Sequence, residues 1–397
     1  MIKRNLEIPI KKYSKEYPII AIVGPRQSGK TTLVQHLFKS YKYISLENLN
    51  NRLYAAEDPL GFFNDIGNKV IIDEIQRVPA LFSYLQEKVD FNNKPAQYIL
   101  TGSQQFLLME KITQSLAGRI ITFKLFPFTC NELFYKKYDQ DISSILTYKP
   151  HNKKLNITDI IFSGMYPRIH DKKLTPHKWL ENYVITYLER DIRELVNVDN
   201  LRVFENFLKI IASHSGQLVN YASISNATGI SQPTVKKWIS LLETSGILIL
   251  LSPYFKNYSK RIVKSPKLYF LDTGLLCFLL FIRNKTDLKT HPLFGNIFET
   301  FIISEMYKRI VHLGEQPPLY FWRDKRGNEI DLLIDHGLFQ TPIEIKSSQT
   351  FNKNFYTTLN YWFNLEENKN QKGLVIYNGD EIYGKKSNVT SLPWYVL

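Results

Sequence analysis

Apolar positions in this chain follow two rhythms, short β-branched runs and longer stretches with helical spacing, which alternate up to about residue 130. Runs at 19–23, 43–46, 70–72, 98–100 and 120–125 predict strands, while segments such as 30–38 and 79–89 predict helices. That alternation predicts an α/β domain around a parallel sheet. Further on, helical stretches dominate, notably 179–196 and 202–213, and the polar segment 149–156 reads as a loop. A polar stretch at 283–291 marks another change of character. Beyond it, 295–310 has helical spacing, and 319–322, 330–334, 341–345 and 373–377 read as strands, giving a second α/β unit.

Composition narrows the class. The longest apolar run, 275–282, falls well short of the ~20 residues that cross a bilayer and predicts a buried helix. Residues 1–7 carry no apolar signal core, and Cys130 and Cys277 cannot build a disulfide framework, so no membrane association and cytoplasmic residence are the expectations. The formal charge of +14, from 51 basic and 37 acidic residues, makes a polyanionic partner worth considering. A Lys- and Asn-rich composition from AT-rich coding accounts for it equally well. Aromatic residues at 14% argue against disorder.

The chemistry is concentrated in three places. Gly24-Pro25-Arg26-Gln27-Ser28-Gly29-Lys30-Thr31, followed by Thr32, fits GxxxxGK[ST] between a predicted strand and a predicted helix. The glycines let backbone N–H groups wrap phosphate oxygens at a helix N-terminus. Lys30 would reach the β- and γ-phosphates of ATP, and Thr31 would ligate Mg2+. Val70-Ile71-Ile72-Asp73-Glu74 is an apolar strand ending in two carboxylates. Asp73 would hold the metal, and Glu74 would orient and polarise the attacking water. A third strand ends in Thr101-Gly102-Ser103-Gln104, where Ser103 or Gln104 would sense the γ-phosphate or simply cap the strand.

These residues resemble the AAA-type ATPases, in particular a bacterial and archaeal group with a C-terminal domain of unknown function. GPRQSGKTTL, IIDEIQRVP, LTGSQ, SLAGR and YLERDI carry the resemblance. It implies an ATP- and Mg2+-dependent ATPase and, in ring-forming members, a homo-oligomer in which a neighbouring subunit supplies an arginine. Arg119 is the first candidate for that role and Arg190 the second, with a surface or salt-bridged arginine as the alternative for each. The family often places Asn where this chain has Ser103 and Gln104.

Residues 220–251 predict helix, turn, helix and strand, with Ser231 as N-cap of the second helix. The pattern matches a winged helix-turn-helix that would present Thr234, Lys236 and Lys237 to a DNA major groove. The same element also serves as an ATPase lid or a protein contact. The interleaved basic and aromatic run 254–261 would track a phosphate backbone or form a solvated loop. Asp272 reads as a helix N-cap.

Near the C-terminus, Asp331 precedes Glu344-Ile345-Lys346 on the next predicted strand, and Glu299 lies on the helix upstream. Glu344 and Lys346 share a strand face. Glu299, Asp331 and Glu344 would chelate Mg2+ while Lys346 orients water at a phosphodiester. The order resembles the PD-(D/E)xK nuclease superfamily over about 290–380. The fold expected is thus a P-loop AAA-type domain (1–135), a helical lid or linker (136–215), a winged helix-turn-helix region (216–285) and a restriction-endonuclease-like α/β domain (286–397). The function expected is ATP hydrolysis acting on DNA, with a magnesium-dependent nuclease module. The alternative is an ATP-dependent switch whose nuclease-like fold is an inactive scaffold.

Overall fold

The computed structural model describes residues 2–103, 116–135, 139, 141–142, 155–188, 201–255, 264–365, 372–384 and 387–396. A short helix, α1 (Glu7–Tyr13), precedes strand β1 (Ile19–Val23), all five residues of which are buried. Then come α2 (Lys30–Leu37), β2 (Lys42–Ser45), α3 (Leu49–Glu57), α4 (Pro59–Ile66), β3 (Val70–Asp73), α5 (Leu81–Phe91), β4 (Tyr98–Gly102) and β5 (Ile120–Lys124). The strands form one parallel sheet in the order β2-β3-β4-β1-β5. Near-continuous apolar strands fit a sheet covered on both faces. Apolar clusters lie on both faces, one around Ile19, Ala21 and Val23, the other around Ile20 and Ile22.

Helices α3 and α4 do not stand out in the sequence pattern. Asn48 caps the first by accepting from the Asn51 amide, and Asp58 caps the second by accepting from the Gly61 amide. Local side-chain oxygens thus start helices that apolar periodicity announces only weakly.

A run of helices follows, α6 (Ile157–Ser163), α7 (Pro167–Asp171) and α8 (Pro176–Tyr183). Of the segment 149–156 only residues 155 and 156 are described, and Asn156 caps α6. Next come α9 (Leu201–Ser213), β6 (Gln217–Leu218), α10 (Tyr221–Thr228), α11 (Gln232–Thr244), β7 (Leu248–Leu251) and β8 (Lys267–Phe270). The three strands pair antiparallel in the order β6-β8-β7. Ser231 accepts from the Thr234 amide and caps α11, as its position predicts. Helix α12 (Thr273–Leu279) is capped by Asp272, again as expected, and coincides with the apolar run read as a buried helix. A short helix, α13 (Lys285–Thr290), occupies most of the polar stretch.

The last unit contains α14 (Phe294–His312), β9 (Leu319–Arg323), β10 (Glu329–Asp335), β11 (Gln340–Lys346), α15 (Thr357–Asn364), β12 (Gly373–Tyr377) and β13 (Val389–Pro393). Its sheet runs β13-β12-β11-β10-β9; β9, β10 and β11 are antiparallel, and β11, β12 and β13 parallel. A register irregularity in β10 lies between Ile330 and Leu333, an interval that contains Asp331. One apolar cluster extends from Phe126 to Trp394, so the middle helices and the C-terminal unit share a core.

Polar groups stitch this core to the P-loop domain. The Arg4 guanidinium donates to the carbonyls of Ser28 (3.0 Å) and Phe126 (2.6 Å) and pairs with Glu132 at 3.2 Å. Glu132 also accepts from the Asn5 and Thr129 amides and lies 3.2 Å from His312 Nδ1 at the end of α14. The Phe126 amide donates to His312 Nε2, which fixes the neutral tautomer with its proton on Nδ1, toward Glu132. Burial opposes the Glu132 charge, yet Arg4 and His312 outweigh it and hold its carboxyl below the usual range. Burial also pushes the His312 pKa down against the pull of Glu132.

Arg4→Ala is expected to lower the thermal unfolding midpoint, because it strands a buried carboxylate at a cost of about 3 kcal/mol. Acidification should also destabilise the chain. The unfolded state protonates its histidine near pH 6.5, while folded His312 stays neutral to lower pH. Stability is therefore complete above that value and is lost as the pH falls toward the depressed one. Melting curves between neutral pH and pH ~5 should show a smaller loss in His312→Gln than in the wild type.

Candidate nucleotide site and C-terminal acid cluster

Sheet register assembles the nucleotide site. Pairing of Val23 with Gly102 and of Asp73 with Thr101 puts the C-terminal ends of β1, β3 and β4 side by side. The loop 24–29 leaves β1 there and enters α2 with Gly29 in left-handed backbone, φ 97°. Gly24 has φ 151°, and a Cβ on it would meet the Leu125 carbonyl oxygen at 2.1 Å, so only glycine fits between loop and sheet.

Lys30 is buried, and its Nζ donates to the carbonyls of Gly24 (3.0 Å) and Pro25 (2.9 Å), curling over the loop it belongs to. Thr31 Oγ1 lies 3.3 and 3.2 Å from the two oxygens of Asp73. The same carboxylate accepts from Tyr43 OH at 2.7 Å and from the Thr101 hydroxyl. Glu74 has left-handed backbone at φ 58°, uncommon for a residue with a Cβ and typical of sites that hold strain. Its carboxylate accepts from Ser103 Oγ at 3.0 Å and from the Gln76 amide. Pro25, Arg26, Gln27, Ser28 and Thr32 complete the loop and the first turn. Arg26 stacks over Tyr187 at 5.5 Å and lies 3.6 Å from Glu47.

These groups face a cavity of about 490 Å³, a size usual for ligand clefts. Of the residues singled out in the sequence, Arg26, Gln27, Gly29, Lys30, Thr31, Thr32, Asp73 and Glu74 line it. Ile2, Arg4, Tyr187 and Arg168 also line it, and sequence reasoning missed them. Pro167 at the first position of α7 was a legible helix start. Nothing in the local pattern announced that α7 would dock on the loop. Asp272 accepts from the Met165 amide at 2.6 Å, which ties the approach to α7 to the start of α12. The hard oxygens of Thr31 and Asp73, converging beside a helix N-terminus, fit Mg2+.

Arg119 lies elsewhere. Its carbonyl accepts from the Ile19 amide, at the end of β1 remote from the loop, and its guanidinium pairs with Asp90 at 2.5 and 2.9 Å. A position about 15 Å along the strand excludes it from its own nucleotide cavity. Gln104 and Arg190 lie outside the described residues.

The second constellation forms where α14, β10 and β11 meet. Asp331 Oδ2 accepts from the Ile345 amide at 2.8 Å and lies 3.6 Å from Lys346 Nζ. Lys346 also pairs with Glu344, which is 2% exposed and whose Oε1 has no hydrogen-bond partner. Burial, then Asp331, pushes the Glu344 carboxyl up to about 8. Glu299 Oε1 accepts from Tyr269 OH at 2.6 Å and from Lys267 Nζ at 3.2 Å. Burial and Asp331 raise the Glu299 carboxyl to about 7. Lys267 pairs with Glu329 as well. The four carboxylates are thus spread around two ammonium groups. Among the described residues no three His, Cys, Asp or Glu side chains gather closely enough to hold a metal ion. In this arrangement the acids do not fit Mg2+.

Comparison with known proteins agrees with the first constellation. Residues 16–134 match the family model of an AAA domain. Residues 154–286 and 294–397 match two models described as domains of unknown function, DUF8612 and DUF4143. Residues 16–134 are therefore assigned to an AAA domain and residues 294–397 to a DUF4143 domain. An uncharacterized protein of Mycobacterium tuberculosis is 27% identical over 350 residues, covering 88% of this chain and 74% of that protein. One from Methanocaldococcus jannaschii is 24% identical over 441 aligned residues, covering 99% and 87%. Among solved structures, the Walker-type ATPase Paby2304 of Pyrococcus abyssi aligns with a TM-score of 0.44 at 12% identity, covering 70% of this chain and 96% of that one. The RuvB Holliday junction branch migration motor of Thermotoga maritima aligns at 0.30 and 17%, covering 62% and 87%. No helix among the described residues is long and apolar enough to cross a membrane.

Ser103→Ala should slow ATP turnover about 10- to 100-fold, the usual effect of removing a partner that orients a functional group. Nucleotide affinity, measured by fluorescent-analogue titration, should stay near wild type. Equal losses in both would remove Ser103 from the orientation of Glu74.

Proposed function

We propose that this chain binds MgATP in the loop 24–32, hydrolyses it with Glu74 as the water-orienting base, and uses the cycle to act on DNA. The observation that carries the reading is the convergence of Lys30, Thr31, Asp73 and Glu74 on one cavity, with Ser103 bonded to Glu74. Amides at the start of α2 would face the β-phosphate, and Lys30 would exchange its two carbonyl partners for phosphate oxygens. Mg2+, held by Thr31 and Asp73, would neutralise charge on the β- and γ-oxygens. Glu74, kept in place by Ser103 and Gln76, would take up the proton of the attacking water. Arg168, reaching the cavity from α7, would stabilise charge on the γ-phosphate in cis. Arg119 would serve only a neighbouring subunit's site, in an oligomer such as a ring.

Support for DNA as partner comes from two features. The order of α9, β6, α10, α11, β7 and β8, with the sheet order β6-β8-β7, is compatible with a winged helix. Lys236 and Lys237 are exposed on α11, and Thr234 is partly so. The C-terminal helix, antiparallel meander, helix and parallel strand are compatible with the PD-(D/E)xK order, with Asp331 in the irregular stretch of β10. Residues 256–261 of the basic and aromatic run lie outside the described residues. The unpartnered oxygen of Glu344 favours a second reading, in which this unit is a metal-dependent nuclease in another arrangement of its acids.

Lys30→Ala should abolish ATP binding and turnover together. Glu74→Gln should keep binding and lose about 10²- to 10⁴-fold in turnover. ATP turnover by the full chain should rise on adding single-stranded, duplex or branched DNA, and the stimulation should fall when Lys236 and Lys237 become alanine. Turnover indifferent to every DNA overturns the DNA assignment and leaves the ATPase standing.

A further inference from the structure

The strand β8 brings a cation into the C-terminal acid cluster from outside the nuclease-like unit. Lys267 and Tyr269 are two residues apart and share one face of the strand. Both address the same oxygen of Glu299, at 3.2 and 2.6 Å, and Lys267 also pairs with Glu329. The Lys267 side chain is 5% exposed and lies over the Phe321 ring at 5.6 Å. Burial opposes its charge, but Glu299, Asp331 and Glu329 outweigh that and raise its pKa above the ordinary lysine value. A buried, permanently charged ammonium among three carboxylates does electrostatically what a bound cation would do.

We propose that Lys267 is a built-in counter-ion that keeps the C-terminal acid cluster closed to divalent metal while β8 is docked on α14. This rests on the nuclease-like reading of Glu299, Asp331 and Glu344. With Glu299 engaged by β8, only Asp331 and Glu344 are left for a metal, and Lys346 contacts both. Opening the site then requires β8 to withdraw, and β8 belongs to the same sheet as the winged-helix elements. The cluster is in this sense an interdomain lock, whose key is a movement of the middle segment rather than the concentration of metal.

The test is Mn2+ binding, read by electron paramagnetic resonance on the full chain without nucleotide. An Asp73→Asn background removes the contribution of the P-loop. The parent should take up no Mn2+ that depends on Glu344. Adding Lys267→Met should create one Mn2+ site, which Glu344→Gln should abolish. Circular dichroism and thermal melting check that each variant folds, and Lys267→Gln replaces the methionine variant if that one does not. Glu344-dependent Mn2+ binding in the parent overturns the lock while leaving the acids a metal site. No Mn2+ binding in a folded Lys267 variant overturns both the lock and the nuclease-like reading of the acids.

Discussion

A buried carboxylate held between two domains sets the geometry on which the rest of this molecule depends. Glu132 has no access to water, so its charge is tolerable only because Arg4, His312 and two backbone amides surround it. These partners come from three separate parts of the chain: the first residues, the end of α14 and the segment after β5. The same Arg4 holds the Ser28 carbonyl of the phosphate loop. Loop position and helix position therefore cannot change independently without uncovering charge. Nearby, Asp139 with Arg309 and Asn5, and Glu305 with Lys308 and the Cys130 amide, extend the same polar seam.

The two candidate sites use similar residues in opposite electrostatic circumstances. At the nucleotide site, Asp73 accepts from three hydroxyls, and Lys30 donates to two carbonyls. Such hydrogen bonds can be exchanged for a metal and a phosphate. In the C-terminal cluster, acids and lysines neutralise one another directly. Such pairs resist invasion, since a newcomer must displace an ion already paid for by burial.

Much of this was legible in the sequence, for identifiable reasons. The P-loop and the two acids at the end of β3 are read from contiguous residues, because a phosphate tail and its metal are gripped by short turns at strand ends. Strand registers then delivered the geometry, as when Asp73 met Thr101. Ser231 and Asp272 were readable as caps because a cap acts within three residues. Arg168, Tyr187, Arg4 and Lys267 were not readable in their roles. Each acts across more than a hundred residues of chain or through the docking of a whole helix or strand, which no local spacing encodes. The alternation that places Lys267 beside Tyr269 was visible, but the acid they address lies on another element, Glu299 of α14.

Helix α14 carries a mechanical consequence. It is 19 residues long, and its last residue, His312, touches the seam beside the phosphate loop while Glu299, near its start, touches β8. The thirteen steps between them span about 20 Å of rigid rod. Anchored at one end, such a rod is a lever: a tilt of a few degrees at the seam displaces its far end by about an ångström or two. A shift that small is enough to separate an ammonium from a carboxylate, so nucleotide chemistry at one end of the rod has the reach to loosen an ion pair at the other.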